Sequence, residues 1–358
     1  MSKHIAFIAA IVTLVIATSS NEAQAQDSTK TFVPIVGYTA DLVVNTHGGI
    51  KTGALYLGYG ELGVEINPWK NGRFNVAIGS THSGEPSAEL VGDWQCMDNI
   101  EGGNYIFALN AWYSHDIGKV TVKAGLQDVN DSYSLFEASS NLINTSFGLN
   151  AVLSSGGHTP TMPNNGLGLN VEYRASSSIT WQAGIFDGGF IPLWDDNKFN
   201  LKHKLSRSKG YVIITEGAIT PNDTWVFKAG AFYHTGLENN GYYGSCEATF
   251  PIQGERRVSA FATAGYAPRA TDCAEASITC GAKLTSLFSK SGADALSAGM
   301  ATVHLDGDKW ETALELNYCY QMSDHFYLSP DLQWIINPAG YWTVPNALAC
   351  ILRVGFEL

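Results

Sequence analysis

The residues that could do chemistry in this chain are scattered, and their spacing excludes more than it assigns. His115, His234 and His304 fall at the ends of alternating stretches, but no serine sits in a GxSxG or comparable setting. A lipid-hydrolysing site would therefore have no activated nucleophile. The six cysteines show no CxxC spacing and the nine histidines no HxxxH, which removes the usual metal patterns. Gly102-Gly103 and Gly188-Gly189 have no phosphate-loop context, so no cofactor is expected. What remains is reversible contact. Arg73, Asp93, Glu101, Glu172 and Arg174 supply hydrogen-bond donors and acceptors, and Trp94, Tyr133 and Phe136 supply flat apolar faces. Such groups suit weak, repeated contact with a polar solute.

The stretch Lys309–Pro338 shows what must position them. Trp310, Thr312, Leu314, Leu316, Tyr318 and Tyr320 alternate with Glu311, Ala313, Glu315, Asn317 and Cys319. After Met322-Ser323-Asp324, the residues Phe326, Leu328, Leu332 and Trp334 alternate with Tyr327, Ser329, Asp331 and Gln333. Period two gives each strand one apolar and one polar face, and the short turn makes an antiparallel hairpin. Strands this long suit a wall with lipid outside and water inside. A soluble sandwich would alternate too, but its strands usually run about five or six residues.

Residues 1–25 read as a secretory leader: Lys3 and His4, the apolar run Ile5–Ala17, then Ala23-Gln24-Ala25. Residues 26–358 read as one domain, with no linker and no apolar segment near the ~18 residues a spanning helix needs. The net charge is −12, which argues against a nucleic-acid partner. The 37 glycines and 11% aromatic residues favour a closed barrel with aromatic girdles. Only Cys273 and Cys280 are close enough in sequence to bridge a hairpin loop.

The pattern gives about sixteen strands, with short connections at Asn67–Gly72, Asp116–Gly118, Ala175–Ser178, Pro221–Asp223, Ile252–Arg256, Leu287–Ala293 and Met322–Asp324. The alternate connections vary, and the longest runs from about Asp128 to Leu167. It carries the apolar patch Leu142-Ile143 to Phe147, so it is expected to fold inward onto the wall and narrow a pore; an external cap is the alternative. Alternation sends Phe74, Val76, Ile78, Tyr105, Phe107, Leu109, Tyr113, Leu169, Val171 and Tyr173 outward. It sends Arg73, Asn75, Asn110, Trp112, Ser114, Asn170, Glu172, Arg174 and Arg353 inward. The fold expected is all-β: a 16-stranded antiparallel transmembrane β-barrel with its long third extracellular loop in the lumen.

Several segments resemble the carbohydrate-selective porins of the OprB type. Gly92–Glu101 (GDWQCMDNIE) resembles that family's Gly-Asp…Asn-Ile-acid segment, and Leu135–Gly148 (LFEASSNLINTSFG) its third-loop region. His158–Asp187 is similar to its Gly…Phe-Asp-Gly hairpin. Glu311…Leu314-Glu315…Tyr318, followed by Pro330-Asp331-Leu332-Gln333…Asn337-Pro338, resembles its most recognisable run. The chain departs from the pattern in its cysteines and in ending Phe356-Glu357-Leu358 rather than on an aromatic residue. The resemblance implies an outer-membrane channel of a Gram-negative bacterium, embedded in lipid and admitting sugars by facilitated diffusion. Asp93, Trp94 and Glu101 of the second long loop, with Tyr133 and Phe136 of the third, are expected to shape the constriction. Arg73, Glu172 and Arg174 would line the nearby wall. Plainer readings make Trp94 a packing anchor and Glu172 and Arg174 a mutually satisfied pair. Monomer and homotrimer are both compatible with the sequence. The competing functions are a general or cation-preferring diffusion porin, favoured if the acids line the pore, an adhesive barrel with an apolar plug and, most remotely, a barrel lipid hydrolase.

Overall fold

The computed structural model describes residues 31–189, 191–193, 195–268, 273–289, 292–305 and 309–358. The expected leader, residues 1–25, lies outside them. The strands are β1 (Phe32–His47), β2 (Gly53–Trp69), β3 (Gly72–Ser83), β4 (Tyr105–Ile117), β5 (Val120–Gln127), β6 (Gly166–Arg174), β7 (Ile179–Asp187) and β8 (Tyr211–Ile219). They continue as β9 (Trp225–His234), β10 (Asn239–Gln253), β11 (Arg256–Tyr266), β12 (Ala276–Thr285), β13 (Asp294–Leu305), β14 (Lys309–Gln321), β15 (Phe326–Ile336) and β16 (Ala347–Glu357). Each pairs antiparallel with its sequence neighbours, and β1 pairs with β16, so the barrel is closed. Closure matters physically: it leaves no row of unpaired backbone groups facing outward.

The outer face is apolar because alternate residues of each strand are Leu, Ile, Val, Phe, Tyr or Trp. Leu42, Val76, Ile78, Leu169, Ile213, Leu316 and Leu332 are all exposed there. Aromatic groups gather near the short-turn end, where Trp69, Phe74 and Tyr113 contact one another and Phe326 meets Phe356 at 4.9 Å. At the opposite end the His304 ring lies tilted against Trp310, centres 4.5 Å apart. The inner face of the 309–336 hairpin carries buried Glu311, Glu315, Asn317, Asp331 and Gln333.

One sequence expectation needs correction. Tyr105, Phe107 and Leu109 do not continue the outward row that ends at Tyr113. The register pairs Ala77 with Asn110 and Ile78 with Ala108, so Leu109 is an extra residue and the strand reverses its faces there. Phe107 consequently packs inside, against Ala77, Leu109 and Leu193. On the other side of β4, pairing with β5 reaches only as far as Ala111. The open edge of β4 is covered instead by the segment around Phe199, whose carbonyl accepts from Ala108 N at 2.9 Å. The one pairing near enough in sequence to bridge a hairpin loop, Cys273 with Cys280, is not formed. Cys273 is buried beside Asn239, while Cys280 shares the outer-face row of Ala262 and exposed Ile278, and no disulfide occurs among the described residues.

The inner wall is also less uniformly polar than the alternation implies. Phe186, Val212, Ile214, Phe232, Tyr243, Val303 and Leu305 point inward and form a buried cluster with Val129, Tyr133, Leu149 and Ala151–Leu153. These residues are a seat for the loops.

Candidate functional site

Loop 84–104 and loop 128–165 lie against the inner wall, held by a repeated device: a wall carboxylate accepting from loop backbone N–H groups. Glu311 of β14 accepts from Trp94 N at 2.7 Å and Gln95 N at 2.9 Å, and also from Ala339 N. Glu315, two steps along the same face beyond Ala313, accepts from Ile143 N and from Asn144 N at 3.0 Å. Glu247 accepts from Ala138 N and Glu216 from Ser134 N, both at 2.9 Å. Loop segments without partners of their own satisfy their backbone donors in this way. The two loops join through Asn99 N to Ile143 O and Thr145 N to Cys96 O, both 3.1 Å. Asn150 caps the short helix α1 (Ala151–Gly156) by accepting from Val152 N, and its side-chain oxygen also meets Ser277 on the wall.

Apolar contacts fix the same path. Phe147 and Leu142 rest over Gly299 of β13, where a Cβ would fall 2.5 Å from the Phe147 ring. Only glycine leaves that room.

The loops leave a water-accessible cavity of about 430 Å³ along the wall from β3 to β9. Its lining is ordered in three rows by the strand register. Arg73, Ser114, Lys123 and Asn170 are successive cross-strand partners. Below them run Thr121, Glu172, Gln182 and Glu216, and then Arg174, Thr180, Ala218 and Lys228. Trp112 lies alongside with the Lys123 ammonium 5.2 Å from its ring centre, and Asp131 and Ser132 close the cavity from loop 128–165. Arg174 Nε pairs with Glu172 Oε1 at 2.7 Å, yet both side chains stay partly exposed to the cavity (52% and 30%). The pairing still leaves them able to meet a solute. Burial pushes the Asp128 carboxyl up to about 7, helped by the neighbouring Asp131 charge. Burial likewise raises Asp131, against the opposing charge of Lys123.

Of the side chains singled out in the sequence, Arg73, Glu172 and Arg174 meet in this cavity. The other five hold the loops. Trp94 packs against the cluster around Tyr133 and Phe186, its plainer reading. Tyr133 is fully buried and donates to Asn170 Oδ1 at 2.6 Å. Phe136 stacks on Phe261 and lies under the Lys228 ammonium. Glu101 accepts from Ser87 N at 3.1 Å, and burial raises its carboxyl above the usual range. Asp93 is buried beside Glu311 and Glu101, so burial and then their charges raise it strongly. Sequence reasoning did not single out Lys123, Lys228, Gln182 or Asp131. The three wall residues were readable as polar members of strands whose other face is apolar; Asp131 carried no such signal.

Comparison with known proteins bears on this architecture. The family model described as "Carbohydrate-selective porin, OprB family" matches residues 65–225 and 214–358. The chain is similar in fold to the high-pH structure of Pseudomonas putida OprB, with TM-score 0.81 and 19% identity over 92% of this chain and 94% of that one. The low-pH structure of the same protein gives 0.62 and 16%, covering 92% and 93%. A mutant of Rh. blastica porin gives 0.55 and 12%, covering 91% and 100%. At these identities the likeness concerns fold. A comparison with curated protein sequences gave no match.

Proposed function

The chain belongs to the OprB family of carbohydrate-selective porins, and from that premise we propose that small sugars cross the outer membrane of a Gram-negative bacterium through the cavity between β3 and β9. The observation that carries the reading is the lining itself. Within one cavity stand guanidinium, ammonium, carboxylate and amide groups for hydroxyls, beside one indole ring for a sugar's C–H face. A channel lowers the barrier to crossing by weak, repeated contacts, so millimolar binding is expected. Arg73, Glu172 and Arg174 meet the solute. Asp93, Trp94, Glu101, Tyr133 and Phe136 act indirectly, by fixing the loops that narrow the path.

Single-channel recording in planar bilayers tests this. Glucose and short glucose oligomers are expected to reduce the ion current saturably. Trp112→Ala removes the stacking surface, worth about 0.5–1.5 kcal/mol, so the half-blocking concentration should rise roughly two- to tenfold. Current unaffected by any sugar, together with strong cation selectivity, would instead describe a general cation-preferring porin. Lys123 and Lys228 in the lining weigh against that outcome.

A further inference from the structure

The charge of the cavity departs from the charge of the chain. The whole protein is formally −12, but the lining holds Arg73, Lys123, Arg174 and Lys228 against Asp131, Glu172 and Glu216. Of these acids Glu172 and Glu216 are occupied, while Asp131 faces Lys123 from loop 128–165. Glu172 pairs with Arg174. Glu216 accepts from Ser134 N, from Tyr243 OH at 2.8 Å and from Gln182 Nε2 at 3.1 Å. Asp128, behind the lining, accepts from Asn130 N and Met162 N, both 2.7 Å. Glu61, on the adjacent strand β2, is met by Tyr59 OH at 3.3 Å. The cations are less well matched. Lys123 reaches Ser132 Oγ at 3.3 Å and Lys228 the Leu135 carbonyl at 2.5 Å, both neutral acceptors. Among the described residues, neither of them nor Arg73 makes an ion pair.

Their placement is regular. Arg73 and Lys123 flank Ser114 in one cross-strand row, two strand spacings or roughly 10 Å apart at the backbone. Long side chains can converge over that gap on a group lying between them. Lys228 stands two rows below, in line with Arg174. The two cationic rows bracket the row of Glu172, Gln182 and Glu216, which can take hydroxyls.

We propose that this cavity is a subsite for monosaccharides bearing one anionic group, a carboxylate or a phosphate, with Arg73 and Lys123 holding the anion and Lys228 receiving it further along. The assignment rests on the porin reading and narrows its substrate class. A charge-assisted contact is stronger than its neutral counterpart, so the anionic sugar should bind roughly tenfold tighter than the neutral one at low salt. The preference should shrink at 1 M salt, where charges are screened within about 3 Å.

The test compares half-blocking concentrations of glucose, glucuronate, glucose 6-phosphate and inorganic phosphate on the full-length channel in bilayers. Support is a roughly tenfold lower value for glucuronate or glucose 6-phosphate than for glucose, with the ratio falling toward one in Arg73→Gln/Lys123→Gln and kept in Lys123→Arg. The glucuronate and phosphate arms separate the two sources of anion. Lys228→Gln provides a second, single variant and should lower the ratio by itself. Equal saturable block by neutral and anionic sugars overturns the proposal and leaves the porin reading standing. Block by inorganic phosphate equal to that by glucose 6-phosphate and glucuronate also overturns it, as a bare anion site. No block by any sugar removes both.

Discussion

Replacing Glu315 by Ala is expected to unlatch loop 128–165 and turn a narrow, quiet channel into a wide, noisy one. Glu315 is 4% exposed, and its two oxygens accept from Ile143 N and Asn144 N at the turn where the loop meets the far wall. Hydrogen bonds to a charged acceptor contribute about 1.5–3 kcal/mol each, and a buried donor left alone costs about as much. Water entering the vacated space recovers part of this, so roughly 3 kcal/mol of docking energy should be lost. Conductance should then rise, with millisecond fluctuations, and sugar block should weaken because the loop no longer holds Asp131 and Ser132 over the cavity. Glu315→Gln keeps one acceptor oxygen and should show a smaller increase. If Glu315→Ala conducts like the parent, the apolar seat of Phe147 and Leu142 on Gly299 is the dominant latch. Gly299→Val, which drives a Cβ into the Phe147 ring, should then produce the open channel by itself.

This latch marks the boundary of what the sequence could disclose. The strands and most of their faces were legible because period-two alternation is a local property: Phe74, Val76 and Ile78 against Arg73 and Asn75 need no knowledge of the rest of the chain. The alternation misleads at two kinds of place. At Leu109 one extra residue reverses the upstream half of β4, and an apolar Phe107 looks the same whether it faces out or seats loop residue Leu193. At Phe186, Val212, Ile214 and Phe232 the inward residues are apolar because the loops pack there, which lowers the contrast that alternation depends on. Arg73, Glu172 and Arg174 were found because a polar side chain on a strand with an apolar opposite face must point inward. Lys123 and Lys228 obey the same rule. Trp94 and Tyr133 went to packing because the path of their loops is set by partners remote in sequence: Trp94 N meets Glu311, Tyr133 OH meets Asn170. No local pattern encodes such pairings.

Replacing Arg353 by Ala should cost the most stability, because one guanidinium ties the barrel's closing seam to its inner lining. Arg353 of β16 is bidentate to Asp41 of β1, with Nε to Oδ1 at 3.0 Å and Nη2 to Oδ2 at 2.7 Å. The two residues are register partners across the β1–β16 seam. The same Nη2 reaches Asp98 Oδ1 at 3.3 Å and Asn99 Oδ1 at 2.8 Å in loop 84–104. Both carboxylates have fully buried side chains, and that of Arg353 is only 11% exposed. Removing the cation leaves two buried acids facing each other, which typically costs about 3–5 kcal/mol. Arg353→Lys keeps the charge without the fork and should lose less. In a denaturant titration of the folded barrel in detergent, the Ala variant's midpoint should fall well below that of Lys, and Lys below the parent. The pH dependence gives the mechanism a sign. Asp98 is already raised above the usual aspartate range, by burial first and then by the Asp41 charge, with Arg353 the opposing influence. Without Arg353 it rises further, so the folded state holds a proton that the unfolded chain releases. Stability of Arg353→Ala should therefore increase as pH falls through that raised value, and level off below the ordinary aspartate pKa of about 3.9, where both states are protonated. A deficit of constant size from neutral pH down to that point would mean that the loss comes from packing of the guanidinium stem, not from the two stranded carboxylates.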